Sequence, residues 1–294
     1  MSDAERAAGA AASAAVGNVG SIEAAPFAAA PYDFVADLVG DPVGADLRAL
    51  FAGNQFMVLP TLLERFTRDR DPRPVVFYET LPPGIVIRQL RQGSLRVGSL
   101  VLRFRPDVVA AGPAALDRLH DEGLVGPPLR YARNGLSLLV RAGNPAGIKG
   151  WEDLSRQGVR VAFPDPETEG IGRQALRAIE AAGGQQLRDA VFGRNREQGL
   201  VRLTSIHHRQ SIDWLEDAST DVAIVWQTEA RHHLQAGRPV QEVALPPEHN
   251  VVGEYAAATV TGAPHPVLAQ AFVDHLASAA GASVFEEFGF SLPA

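Results

Sequence analysis

Short apolar runs alternate with stretches of helical periodicity along the chain from Leu47 onwards. The run LRALFAG at 47–53 predicts a strand that stops at Gly53. The next segment, MVLPTLLERFTRD, has apolar residues three and four positions apart and predicts a helix with Pro60 in its first turn, where proline is tolerated. The following pair, PVVFYE and GIVIRQLRQG, repeats this order, and Gly93 ends its helix.

The same alternation continues to the end of the chain. Further strands are predicted at PDVVAAG, LSLLV, Val159–Phe163, STDVAIVW and GEYAAATV, and helices at PAALDRLHDEGL, after the turn at 164–170, and twice within residues 265–290. Strands that alternate with helices are typical of β-α-β units, so the predicted fold class is α/β with mostly parallel sheets. A chain of 294 residues, 46% of them hydrophobic, favours two lobes over one.

Five loops follow a predicted strand and open a predicted helix. The first backbone N–H groups of a helix have no partner within the helix, so each such loop is a place where an anion can bind. In open α/β sheets, ligands lie beyond the carboxyl ends of the strands, so these loops can meet in a cleft between two lobes. Their sequences are FAGNQF, FYETLPPG, PDPETEGIG, TSIHHRQ and IVWQTEA.

Composition narrows the possible functions. The 34 acidic and 27 basic residues give a net charge of −7, which argues against a nucleic-acid partner. Cysteine is absent, so a metal could be held only by histidines and carboxylates. No segment approaches the ~18 apolar residues of a membrane span, so direct membrane insertion is not expected. No nucleophile elbow, phosphate loop or H-E-x-x-H motif is present, so we expect neither an enzyme nor a cofactor.

The first 45 residues form a low-complexity leader, rich in alanine and glycine, that is expected to be partly disordered. The segment PYDFVADLVGDPVG near its end is expected to pack on the body of the protein. The leader begins with acidic residues and lacks the leucine-rich stretch of a signal peptide. It also has too few basic and large apolar residues for a DNA-binding helix-turn-helix.

The order of these motifs resembles that of the molybdate-binding proteins that serve ABC importers. The most specific stretch is YARNGLSLLVRAGNPAGIKGWEDLSRQGVRVAFPDPETEGIGRQAL, in which a strand, a Gly-Asn-Pro turn, a helix start and a Pro-Asp-Pro-Glu turn follow each other. The resemblance covers residues 47–294 and implies the two-lobed type 2 periplasmic-binding fold, with a ligand cleft between the lobes. The implied division is a leader at 1–45, a first lobe at 46–130 plus 255–294, and a second lobe at 131–254. Hinge segments are expected near Tyr131–Val140 and Glu254–Val260.

The resemblance also implies which positions hold the ligand, and several hydroxyl donors of the family are replaced in this chain. The family's two serines fall on Gln55 and on Pro82–Pro83, which leaves Glu79 and Thr80 as the nearby polar groups. Two backbone N–H donors fall on Ile171 and His208, and the family's tyrosine falls on Trp226. The predicted ligand-binding residues are therefore Asn54, Gln55, Glu79, Thr80, Glu169, Gly170, Ile171, His207, His208 and Trp226.

These replacements leave the identity of the ligand open. An oxyanion of the molybdate or tungstate type is the first hypothesis, although an ionised Glu79 or Glu169 that pointed into the cleft would repel it. A different small anion is one alternative. Another is a divalent metal ion held by His207, His208 and Glu79.

The resulting hypothesis is a solute-binding protein that captures a small ligand and delivers it to the permease of an ABC transporter. A cytoplasmic ligand-binding sensor on the same fold is the alternative. The resemblance implies a periplasmic or other extracytoplasmic location, whereas the composition of the leader keeps a cytoplasmic location open.

Overall fold

The computed structural model describes residues 37–97, 100–205 and 210–293. In chain order, the strands are β1 (Leu38–Val39), β2 (Leu47–Ala52), β3 (Val76–Leu81), β4 (Ser94–Val97), β5 (Leu100–Arg103), β6 (Val108–Ala111), β7 (Leu129–Asn134), β8 (Leu136–Arg141), β9 (Val161–Phe163), β10 (Val201–Leu203), β11 (Val222–Trp226), β12 (Val240–Val243) and β13 (Gly253–Thr259). The α-helices are α1 (Leu59–Thr67), α2 (Pro83–Gln92), α3 (Pro113–Asp121), α4 (Gly170–Arg188), α5 (Gln210–Glu216), α6 (Gln227–Gln235), α7 (Pro266–Leu276) and α8 (Ala279–Glu287).

The strands form two large sheets of mixed direction. The first has the order β1-β3-β2-β6-β13-β7, and the second has the order β10-β9-β11-β8-β12. In the first sheet β2 runs parallel to β3 and β6, and in the second β9 runs parallel to β10 and β11. The strands β13 and β8 run antiparallel to both of their neighbours, and each begins just after the chain passes from one sheet to the other. The strands β4 and β5 form a separate antiparallel hairpin.

Helices cover both faces of each sheet, which gives each lobe its own core. In β2, Leu47 and Phe51 face the cluster formed with α1, α7 and α8, whereas Leu50 faces the cluster under α2 and α3. In β8, Leu138 faces α4 and Leu139 faces α5 and α6. Because both faces are buried, these strands are continuous apolar runs, which is the pattern that the sequence shows.

The predicted elements of the first β-α-β units are confirmed. Pro60 lies in the first turn of α1, and Gly93 ends α2 in the left-handed conformation, with φ of 61°. Apolar periodicity did not predict the hairpin β4–β5 or the strands β1, β7, β10 and β12. All of these except β7 have only two to four residues, which is too few to show a period reliably.

Residues 37–45 pack on the first lobe. The strand β1 pairs antiparallel with β3, and the buried side chain of Asp37 accepts a hydrogen bond from the Thr80 hydroxyl at 3.0 Å. The rest of the predicted leader lies outside the described residues. Within the described ranges, no single helix is long and apolar enough to cross a membrane, and α7 and α8 reach that length and composition only as a pair bent by 57°.

Candidate functional site

A cleft with a cavity volume of about 90 Å³ lies between the two lobes. This volume is well below the ~300–1,000 Å³ of pockets for drug-sized molecules, so the cleft suits a small ligand. The first lobe contributes the residues that follow β2, β3 and β6 and the start of β13, and the second lobe contributes the start of α4 and the end of β11. The lining residues are Ala52, Gly53, Asn54, Pro82, Pro83, Gly112, Glu169, Gly170, Ile171, Gln174, Trp226, Gly253, Glu254 and Tyr255.

The two lobes contact each other around this cleft. A Cβ atom added to Gly253 would lie 2.5 Å from a ring carbon of Trp226, so the close approach of the first lobe to this ring requires glycine. The ring centroid of Trp226 lies 6.0 Å from that of Tyr255. Beside the cleft, Phe56 meets the ring of His232 edge-on at 5.3 Å between centroids. These contacts hold the lobes close together, which keeps the cleft small.

Two chain segments cross between the lobes, one at Gly135 and one between β12 and β13. The side chain of Asn250 ties them together: its amide oxygen accepts a hydrogen bond from the Leu136 N–H, and its amide nitrogen donates to the Leu136 carbonyl, both at 2.9 Å. The Gln227 N–H donates to the Gly135 carbonyl at 2.9 Å. The first crossing lies within the hinge segment predicted at 131–140, and the second precedes the one predicted at 254–260.

Replacing Asn250 by alanine is expected to lower the melting temperature. The buried residue Leu136 would lose the side-chain partners of both its N–H and its carbonyl group, at an expected cost of about 1–3 kcal/mol in the free energy of unfolding. Thermal unfolding followed by circular dichroism measures the effect. An unchanged melting temperature would show that Asn250 does not fasten the crossing segments.

Several residues predicted from the sequence line the cleft. Asn54 follows β2, and its amide nitrogen donates a hydrogen bond to the hydroxyl of Tyr255. Gly170 and Ile171 are the first two residues of α4, where backbone N–H groups have no partner within the helix. Glu169 precedes them at the helix N-cap, and Trp226 forms part of the opposite wall at the end of β11.

Gln55 and Thr80 are not among the described residues that line this cleft, and their predicted role in ligand binding stays a prediction. Consecutive residues of the short turn after β2 point in different directions, so Asn54 reaches the cleft while Gln55 is buried in the first lobe. The side-chain oxygen of Gln55 accepts a hydrogen bond from the Tyr131 hydroxyl at 2.7 Å. The Thr80 hydroxyl donates to Asp37. Both side chains therefore stabilise the first lobe.

Glu79 is also not among the described residues that line this cleft, and its predicted role in binding an anion or a metal stays a prediction. Side chains alternate along β3, so Glu79 shares a face with Leu81, beneath α2. Its side chain is fully buried beside Gln89 of that helix. The pKa of Glu79 is raised to about 8, and desolvation by burial is the main cause. The Gln89 side chain lowers this pKa, and the charge of Asp37 raises it.

His207 and His208 lie outside the described residues, so their role stays a prediction. In the described part of the chain, no group of three or more histidines and carboxylates is placed to hold a metal ion.

Three lining residues with polar side chains, Gln174, Glu254 and Tyr255, were not among the residues predicted from the sequence. Burial raises the pKa of the Tyr255 hydroxyl, which therefore stays protonated at the cleft. Gln174 lies one turn after Gly170 on α4, and its buried side-chain oxygen has no hydrogen-bond partner among the described residues. The helical spacing from Gly170 could have indicated Gln174, whereas Tyr255 reaches the cleft only because β13 lies between β6 and β7.

Glu169 brings a carboxylate to the cleft wall. The residue is 2% exposed, and its side chain forms no capping hydrogen bond with α4. The Thr204 hydroxyl donates a hydrogen bond to it, and the same hydroxyl accepts one from the Asp165 N–H at 3.0 Å. The cleft thus combines helix starts, which favour anions, with a buried acidic side chain.

Two α/β lobes that enclose a small cleft at the carboxyl ends of strands and the starts of helices define a ligand-binding protein with the two-lobed periplasmic-binding fold. The chain belongs to the family of bacterial extracellular solute-binding proteins, whose model matches residues 47–291. It is a solute-binding protein of the ABC-importer type and not an enzyme, as the sequence predicts.

Similar proteins agree with this assignment. A molybdate-binding protein ModA of Mycobacterium bovis is 28% identical over 214 residues, which are 72% of this chain and 76% of the relative. A sulfate-binding protein of Synechococcus elongatus is 28% identical over 209 residues, which are 63% and 57% of the two chains. The structure of a periplasmic molybdate-binding protein from Azotobacter vinelandii has a TM-score of 0.68 at 16% identity, covering 84% of this chain and 100% of that one. The predicted resemblance and the two-lobed fold are therefore confirmed.

Proposed function

We propose that the protein captures a small tetrahedral oxyanion in the interlobe cleft and delivers it to the permease of an ABC importer. The observation that carries this proposal is the convergence of strand ends and helix starts from both lobes on a cavity of about 90 Å³. Helix N-termini favour negative charge, and their N–H groups can donate to oxygen atoms. Molybdate and tungstate, the ligands implied by the sequence resemblance, belong to this class.

The names of the relatives support the same class of ligand. Molybdate and sulfate, for which the two relatives are named, are both tetrahedral oxyanions with a charge of −2. A divalent cation is less well suited to this cleft, because helix starts disfavour positive charge. The lining carboxylate of Glu254 lies 3.7 Å from Arg130 and 3.6 Å from Arg133, which already offset its charge.

Closure of the two lobes over the ligand is the proposed signal to the permease. Since the cleft wall contains residues of both lobes, a bound anion contacts both at once. A ligand that binds the closed arrangement more tightly than an open one stabilises the closed arrangement. The gain in stability equals the difference between the two binding free energies. The permease would then recognise the arrangement of lobes that only the loaded protein keeps.

Calorimetric titration and thermal unfolding with a panel of ligands test this proposal. The panel contains molybdate, tungstate, sulfate and phosphate, with chloride and divalent metal salts for comparison. At least one tetrahedral oxyanion is expected to raise the stability by ~2.7 kcal/mol at a hundredfold excess over its Kd. If no oxyanion binds, or if only a metal salt stabilises the protein, the proposed ligand class is wrong.

A further inference from the structure

The hydroxyl group of Tyr255 lies at the place where the two lobes meet. Tyr255 is the third residue of β13, and its side chain lines the cleft although it is only 5% exposed. The strand β13 lies between β6 and β7, so the backbone that carries this side chain is held on both sides. The ring packs against Trp226 of the second lobe. The hydroxyl group is therefore held at a defined position on the cleft wall.

Two amide groups of the first lobe act on this hydroxyl. The side-chain nitrogen of Asn54, another lining residue, donates a hydrogen bond to the Tyr255 oxygen. Burial raises the pKa of Tyr255, whereas hydrogen bonds with the side chains of Asn54 and Asn134 lower it. A group that donates to a phenol oxygen favours its ionised form, so the direction of both effects is that of a donor. The oxygen of Tyr255 is thus used as an acceptor.

The proton of the same hydroxyl is available to a further partner. A phenol carries one O–H donor in addition to the lone pairs of its oxygen, and an amide nitrogen cannot accept that proton. Because burial raises the pKa of Tyr255, the hydroxyl keeps its proton at neutral pH. Since the side chain lines the cleft, an oxygen atom of a bound ligand is a suitable acceptor.

Asn134 connects this hydroxyl to the second lobe. It is the last residue of β7, and its side-chain nitrogen donates to the hydroxyl oxygen of Thr228 at 2.8 Å. Thr228 is the second residue of α6 in the second lobe, and both side chains are buried. An amide nitrogen has two N–H groups, so one can donate to Thr228 while the other faces Tyr255. The amide that orients the hydroxyl is therefore itself fixed across the boundary between the lobes.

We propose that the hydroxyl of Tyr255 donates a hydrogen bond to the bound oxyanion, and that Asn134 is the positioning residue that holds this hydroxyl in the required direction. The inference rests on the proposed function and assigns a ligand-binding residue within its cleft. A hydrogen bond from a neutral donor to a charged acceptor is about twice as strong as one between neutral groups, so a single hydroxyl contributes substantially to the affinity.

Calorimetric titration of the intact protein with molybdate, tungstate, sulfate and phosphate tests the contact with the ligand. Tyr255→Phe removes the hydroxyl and keeps the ring. It is expected to weaken binding of each oxyanion that the wild type binds by about 10- to 100-fold. Tyr78→Phe is the matched control, because Tyr78 is partly buried and lines a separate groove on the surface of the first lobe. This control is expected to keep the wild-type affinity.

A double-mutant cycle tests the positioning role of Asn134. Asn134→Ala alone is expected to weaken binding about tenfold. Added to Tyr255→Phe, it is expected to weaken binding by less than about twofold more, because the hydrogen bond through which it acts is already absent. A purely structural role would give the same factor in both backgrounds. Asn134→Ser allows the same comparison if the alanine variant fails to fold.

The outcomes separate this inference from the proposed function. If the wild-type protein binds none of the four oxyanions, the proposed function fails and the inference fails with it. If the wild type binds one of them and Tyr255→Phe binds it equally well, the function stands and the hydroxyl does not contact the ligand. Equal losses in Tyr255→Phe and Tyr78→Phe would also contradict a contact at the cleft. Additive losses in the cycle would show that Asn134 does not act through Tyr255.

Discussion

Glu79→Gln is expected to be more stable than the wild-type protein at pH 8. The wild type is expected to lose stability between about pH 5 and pH 8, and the variant is expected not to show this loss. Glu79 is fully buried, and desolvation raises its pKa from 4.5 to about 8. The folded protein therefore keeps a proton that the unfolded chain releases near pH 4.5. The contribution of this group is complete below that pH and is lost as the pH rises towards 8.

The expected size of this effect is large for a single side chain. Each pH unit in the window corresponds to up to about 1.4 kcal/mol, so several kcal/mol separate the two ends. Glutamine has nearly the same shape and no charge to desolvate. Urea unfolding of both proteins at pH 5, 6, 7 and 8 measures how the free energy of unfolding changes with pH.

Glu197→Gln, an exposed control, is expected to keep the wild-type slope of stability against pH. Parallel curves for wild type and Glu79→Gln would contradict the assignment.

Trp226→Ala is expected to lower both the stability of the protein and its affinity for the ligand. The ring is 6% exposed and packs against Gly253 and Tyr255 of the other lobe. Truncation of a buried tryptophan is expected to cost about 3–5 kcal/mol in the free energy of unfolding. Loss of a wall that both lobes share is expected to weaken ligand binding about tenfold or more, since a tryptophan at the centre of a contact surface commonly contributes ~2 kcal/mol or more.

A matched variant separates the two effects. Trp214 lies partly buried on α5, outside the cleft, where Arg202 stacks on its ring at 3.8 Å from the centroid. Trp214→Ala is expected to lower the melting temperature and to leave the affinity for the oxyanion unchanged. Thermal unfolding and calorimetric titration of both variants give the comparison. Equal affinities in wild type and Trp226→Ala would show that this ring does not form part of the binding site.

The agreement between predicted and observed elements is closest where the sequence repeats a local pattern. The strand β2 and the helix α1 follow from the spacing of their apolar residues, and Gly93 ends α2 because glycine adopts a positive φ without strain. The mixed direction of the sheets was not predicted. It depends on the strands β8 and β13, which are largely buried like the parallel strands, so the burial pattern of their residues does not reveal the direction in which they run.

The residues predicted for the candidate site fall into two groups, those that line the cleft and those that do not. Asn54, Glu169, Gly170, Ile171 and Trp226 follow strands or open helices, so the general geometry of an α/β sheet is enough to bring them to the cleft. Gln55, Glu79 and Thr80 also stand near such positions, but their side chains point into the first lobe. A shift of one residue along a strand or turn reverses the direction of a side chain, and a motif does not specify that direction.

The sequence by itself determined the α/β class, the order of the main elements and the family, because these depend on local periodicity and on the order of motifs along the chain. Only the tertiary structure decided which polar groups line the cleft. Tyr255 and Gln174 line the cleft, whereas Glu79 is buried beneath α2. These positions depend on strand order, side-chain direction and the packing of one lobe against the other, and all three are set by contacts between residues far apart in the chain.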